Sequence, residues 1–269
     1  MKKLLLLVMC GIALCACENP AGPPMRLAKN YIASFVKYEV IEVISNGRAV
    51  YSTLPNSLFD YEMPYIDILA LPKRDTIIND NNRWNGYYFD YCNGKRDGCM
   101  LYDPYYIDKR IIYYEYINQI GDTCFNKIVF GGDPPALYAI TIPLQTISIT
   151  CDKDFNPDFP AGAELSSLFH VFFDDYYATI KNGYKTAKGS YLSTGGPYSH
   201  YNVEQSIFKE KLSEVNFSDR PFTGNEWLCT LDVAPDKTDE YTFHIKVTSV
   251  NGMVMEESTL PTKIEGMLD

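Results

Sequence analysis

Tyr241-Thr242-Phe243-His244-Ile245-Lys246-Val247-Thr248 decides the fold: four large apolar residues alternate strictly with four polar ones. Successive side chains on a strand point to opposite faces, so this period of two predicts a strand with one buried and one wetted face. Asn251-Gly252 follows, a pair that tolerates the positive φ angles of a tight hairpin turn. Residues 253–259 then return as a second strand, giving a C-terminal hairpin.

Working back along the chain, Trp227, Cys229, Leu231 and Val233 repeat the alternation. Residues 203–215 read as a helix, because Val203, Ile207 and Phe208 share a face with Glu and Lys elsewhere. The aromatic-dense stretch 165–180 fits helix or strand, with 168–173 as a buried strand at its centre. Residues 34–44, 66–71, 87–91, 111–117, 124–130 and 137–150 carry the β-branched and aromatic content of strands. Pro143 has no amide to give to a ladder, so it splits the last of these or places it on an edge. Asn46-Gly47 offers a turn into Ala49-Val50-Tyr51, and the Asp, Asn, Pro and Gly of 152–162 mark a boundary.

The expected architecture is therefore mainly β, an antiparallel β-sandwich with at least one short helix. The expected division is a signal segment 1–16, a tether 17–24, a Tyr-rich β domain 25–155 and a sandwich-like domain 156–269, or else one domain over 25–269. Over about thirty residues the terminal hairpin resembles the last two strands of immunoglobulin-like sandwiches.

The N-terminus carries the address. Lys2 and Lys3 precede an apolar run over residues 4–14, too short to cross a ~30 Å hydrocarbon core and suited to a secretory signal. Leu14-Cys15-Ala16-Cys17 resembles the bacterial lipobox, in which an aliphatic residue and then a small one precede an obligatory cysteine. Cys10 and Cys15 follow Met9 and Leu14, which are too bulky for the position before the anchor. The resemblance implies that Cys17 becomes the lipidated N-terminus and that residues 1–16 are removed. Two or more acyl chains make such an anchor stable, where one gives only marginal binding. Taken whole, the chain resembles the exported lipoproteins of gut Bacteroidetes, which implies a lipid-anchored place in the cell envelope, at the outer membrane or the cell surface.

The rest of the composition limits partners. Loss of Lys2 and Lys3 takes the net charge from −10 to −12, and an acidic body lacks the clustered cations that nucleic acid demands. Export permits disulfides. Cys92 and Cys99 flank a polar, turn-prone loop whose closure constrains the unfolded chain by roughly 2.5 kcal/mol. Cys124 and Cys151 form a second candidate pair, and Cys229, within an apolar alternation, is the buried orphan. No CxxC pair occurs and His170, His200 and His244 are scattered, so no metal and no cofactor is expected.

Tyrosine is the unusual residue: eleven of 22 fall between Tyr61 and Tyr116. Trp84, Tyr87, Tyr88, Tyr91, Tyr105 and Tyr106, with Asn81, Asn82, Arg83 and Asn85 nearby, make a candidate platform for sugar rings. Ring faces stack on aromatics while amides and carboxylates take the hydroxyls. The same tyrosines equally well cover a sheet. Asp174-Asp175 is not an acid/base pair on a strand, where neighbours point apart. Asp75, Asn79, Asp80, Asn81 and Asn82 lack the spacing of a calcium loop. Asp75-Thr76-Ile77 matches the short O-glycosylation pattern of exported Bacteroidetes proteins. The expected function is a non-catalytic, lipid-anchored envelope protein that binds a glycan through aromatics. The alternative is a structural or interaction subunit, or an adhesin, with an envelope protein as partner.

Overall fold

A computed structural model describes residues 25–28, 30–32, 34–46, 64–71, 101–102, 107–130, 138–189, 191–192 and 206–267. In chain order the elements begin with β1 Met25–Ala28, β2 Ser34–Val36, β3 Val40–Asn46, β4 Tyr65–Leu71, β5 Leu101–Tyr102 and helix α1 Ile107–Ile120. Next come β6 Lys127–Phe130, β7 Tyr138–Ile140, β8 Leu144–Cys151, β9 Phe169–Asp175, helix α2 Tyr176–Lys181 and β10 Tyr191–Leu192. The chain closes with β11 Ser206–Lys211, β12 Thr223–Leu231, β13 Asp239–Tyr241, β14 Phe243–Ser249, β15 Val254–Ser258 and β16 Thr262–Ile264.

The protein is mainly β, and its described ladders are antiparallel except for β2 beside β7. Among the described residues nine strands form the large sheet, in the order β10-β11-β9-β12-β7-β2-β5, with β4 and then β3 branching from β12. A smaller sheet runs β15-β14-β8. Their inner faces meet in one core: Ile66, Ile68, Phe169, Val171, Phe173, Trp227 and Cys229 from the large sheet, Ile147, Ile149, Phe243, Ile245 and Val247 from the small one. Phe169 and Phe243 meet edge to face across the gap at 5.9 Å. This is a sandwich-like arrangement, and strands from both sides of the 152–162 segment build it. That segment does not separate two cores, since Phe155 lies fully buried within the shared one.

The alternation that opened the sequence holds, with buried and wetted residues taking turns along β14. Gly252 at φ +82° then makes the turn into β15. Pro143 does divide its segment, between β7 and β8. The free edge of β8 is covered by the chain that follows it: Gly162 N donates to Cys151 O at 2.8 Å and Leu165 N to Ile149 O at 2.7 Å. Ile149 N donates in turn to Glu164 Oε1 at 3.1 Å. An edge blocked in this way cannot template another strand.

Two local expectations are corrected. The described part of 203–215 is not a helix: β11 occupies 206–211 and pairs with β9 in the register Ile207 to Asp174 through Lys211 to His170. Ile207 and Phe208 are adjacent and both buried because this strand is covered on both faces, Ile207 by Phe172 and Phe208 by Phe173. Residues 111–117 are not a strand but part of α1. Tyr113, Ile117 and Ile120 are buried at helical spacing against Tyr31, Ile32 and Phe35, and Gly121 at φ +76° ends the helix. Beside it, Asp122 accepts the buried amides of Tyr31 at 2.8 Å and Ile32 at 2.9 Å, fastening the N-terminal strands to the helix end. The proposed turn into residues 49–51 lies outside the described residues, as does the strand at 87–91. The described partner of β3 is β4.

Candidate functional site

The central strand β9 delivers two adjacent carboxylates to opposite faces of the large sheet, and each face carries a distinct cluster. On the inner side, Asp175 caps α2 by accepting the Ala178 amide at 2.8 Å. Its second oxygen accepts Arg220 Nη1 at 2.9 Å, and Arg220 Nη2 pairs with Glu210. The guanidinium lies 4.1 Å from the Phe208 ring centre and 5.3 Å from that of Phe173, so it is fixed by charge and by stacking together. Asn216 holds the following turn, accepting the Ser218 amide at 3.2 Å and donating to Asp219 at 2.7 Å.

These elements enclose an open cleft of about 420 Å³, whose walls include Tyr177, Lys181, Glu214, Asn216, Asp219 and Arg220. Lys181 Nζ stands 5.1 Å from the Tyr177 ring centre. Among the described residues four carboxylates (Asp175, Glu210, Glu214, Asp219) line the cleft against two cations, Lys181 and Arg220. With an aromatic ring, an amide and an excess of acceptors, the wall is suited to a polyol and unsuited to an anion.

On the outer face, register places Glu226 of β12 diagonally between Asp67 of β4 and Asp174 of β9. Glu42 of β3 lies opposite Leu69, one step from Asp67. Burial, then the neighbouring Glu226 and Glu42, push the pKa of Asp67 well above the ordinary range. Burial first, then Glu226 and Asp175, push Asp174 up to about 7. Oδ1 of Asp67 and Oδ1 of Asp174 are sealed from solvent with no hydrogen-bond partner. At the far end of the same face, His170 Nδ1 lies 2.6 Å from Asp232 Oδ1, and Lys211 Nζ lies 3.8 Å from Asp232 Oδ2. That pairing fixes the ring, and no described serine, threonine or cysteine side chain hydrogen-bonds to it.

Cys17, Trp84, Tyr87, Tyr88, Tyr91, Tyr105 and Tyr106 lie outside the described residues, as do Cys92 and Cys99. The Cys124–Cys151 pairing is corrected: both thiols are free. Cys124 is exposed after α1, whereas Cys151 is buried at the end of β8 with its thiol donating to Lys153 O at 2.9 Å. Cys151 packs in the core shared by the two sheets, and Cys124 lies outside that core. Cys229 is the buried free thiol expected of it. Asp174 and Asp175 do point apart. Among the described residues no group of His, Cys, Asp and Glu is placed to hold a metal ion, and no helix is long and apolar enough to cross a membrane.

Sequence reasoning missed Tyr177, Asn216 and Arg220, which come together only through the β9–β11 pairing and the turn at 216–220. It also passed over Asp67. The signal was present there: one charged residue inside the apolar run Ile66-Asp67-Ile68. Comparison with known protein families, curated proteins and solved structures finds no match for this chain.

Proposed function

We propose that this is a lipid-anchored, non-catalytic protein of the cell envelope that binds a neutral glycan. The cleft beside Arg220 carries the reading. A ring at Tyr177 offers a stacking surface, while Asn216, Glu214 and Asp219 offer acceptors and donors to hydroxyls. The excess of two carboxylates over cations favours neutral sugars over sulfated or uronic ones. The lipobox-like Leu14-Cys15-Ala16-Cys17 supports the anchored state, and the Pro- and Gly-containing tether 17–24 would hold the body away from the bilayer.

The test is a glycan array probed with residues 25–269, followed by titration of each hit against Tyr177→Ala, Asn216→Ala and Trp84→Ala. Neutral oligosaccharides should bind, and loss of Tyr177 should weaken them at least tenfold. Absence of any glycan binding refutes the ligand. Binding lost in Trp84→Ala and unchanged in Tyr177→Ala moves the site to the tyrosine-rich segment. Labelling with radioactive palmitate in cells, abolished by Cys17→Ser, tests the anchor separately.

A further inference from the structure

We propose that Asp67, Glu226 and Asp174 form a proton-held lock on the outer face of the large sheet, closed while the cluster keeps its protons and loosened as they leave. Three adjacent strands contribute one carboxyl each at neighbouring positions of the ladder. Glu226 is exposed along part of its length, so the retained protons are assigned to Asp67 and Asp174, whose Oδ1 atoms are sealed and unpartnered.

The charges facing the cluster do not neutralise it. From β3 comes Glu42, another acid; from β9 itself comes Asp175, already committed to Arg220. From β11 comes Lys209, whose Nζ lies 5.2 Å from the Phe172 ring centre. Lys211 and His170 are engaged with Asp232 at the other end. Asp67 and Asp174 are half-buried, each with one oxygen sealed from water and no described cation paired with it, and the neutral form of such a group costs far less to bury.

The cluster sits at a weak place in the sheet. The β9–β12 register slips between Thr223 and Trp227, so residues 224–226 of β12 face Asp174 alone. A Cβ at Gly224 would lie 3.4 Å from Asp174 Cβ and from the Tyr176 hydroxyl, so the bulge packs directly on the lock. The sign follows from the raised pKa values. Stabilisation is complete below the ordinary carboxylate range and is lost as pH rises through the folded-state values, about 7 for Asp174. β9 also carries Asp175, so the strand whose pairing with β12 loosens supplies one wall residue of the cleft.

Hydrogen exchange of the full chain between pH 5.5 and 8.5, corrected for the intrinsic base-catalysed rate, tests the lock. Peptides from β4, β9 and β12 should open up to about tenfold more often per pH unit near neutrality, one proton's worth of linkage. Peptides from β8 and β14 should not. Asp174→Asn and, as a second isosteric variant, Asp67→Asn should each reduce that dependence and protect the seam at pH 8.5. A flat wild-type profile overturns the proposal. So does a loosening that β8 and β14 share equally, or one that persists unchanged in both variants.

Discussion

Replacing Arg220 by alanine removes one guanidinium from between two carboxylates and two rings. Asp175 is 3% exposed and Arg220 20%, so the pair is largely withdrawn from water. Removing one partner of a buried pair leaves an uncompensated charge and costs about 3–5 kcal/mol. Asp175 keeps its bond from the Ala178 amide, which places the loss at the lower end of that range. The stacked contact with Phe208 at 4.1 Å adds about 1 kcal/mol. Glu210 is 30% exposed, and a pair so open to solvent contributes less than about 1 kcal/mol. The total is about 4 kcal/mol, a fall of roughly 8–16 °C in Tm for a protein of this size. Arg220→Lys keeps the charge without the planar fork and should lose about half as much. Equilibrium urea unfolding gives the free energies, and a cycle with Asp175→Asn isolates the pair, with a coupling of about 2 kcal/mol expected. A loss below about 1 kcal/mol in Arg220→Ala, or strict additivity with Asp175→Asn, would show that the pair is no anchor and that the cleft wall is held otherwise.

Asp122→Ala strands two buried amides, at roughly 1–3 kcal/mol each, and urea unfolding should lose about that sum. Burial pushes Asp122 up to about 6 against the pull of the Tyr31 and Ile32 amides. Its contribution is therefore complete below the ordinary carboxylate range and lost as pH rises through 6, and a wild-type stability profile that falls over that window should flatten in Asp122→Asn. Trp227 is fully buried between the sheets, and Trp227→Ala should cost about 3–5 kcal/mol by the same unfolding measurement. Alkylation followed by peptide mass spectrometry should label Cys124 in the native protein. Cys151 and Cys229, buried and with thiols pushed up by burial, should label only after unfolding.

What the sequence made legible follows from whether one face of an element is wet. β14 was readable because a solvated face alternates with a buried one, so the period of two survives in the residues themselves; β15, exposed but for Met255, was readable only through the Asn251-Gly252 turn before it. β11 was not, because Ile207 and Phe208 both meet covering side chains, and two adjacent apolar residues followed by Lys209-Glu210-Lys211 imitate an amphipathic helix. α1 failed in the opposite direction. Its tyrosines and isoleucines favour strands, and only tertiary packing of Tyr113, Ile117 and Ile120 on Tyr31 and Phe35 selects the helix. The cleft was illegible for a further reason: Tyr177, Asn216 and Arg220 are joined by a ladder between distant strands and by a turn fixed through the Asn216 side chain, neither of which has a local signature.

Asp174 and Asp175 show how far a period of two reaches. Their adjacency on a strand rules out one shared site, a deduction available from the residues alone. It leaves the fate of each to its own face. Asp175 turns toward the core and meets Arg220, an amide and a helix start. Asp174 turns outward to Glu226 with one oxygen sealed and unpartnered, so it holds its proton to about 7. The two faces still communicate, since Asp175 is itself among the charges that raise Asp174. Loss of the Arg220 cation would expose Asp174 more fully to that charge, so the Arg220→Ala variant should shift the pH at which the β9–β12 seam loosens upward. An unmoved midpoint would mean that the two faces of the strand are electrostatically independent.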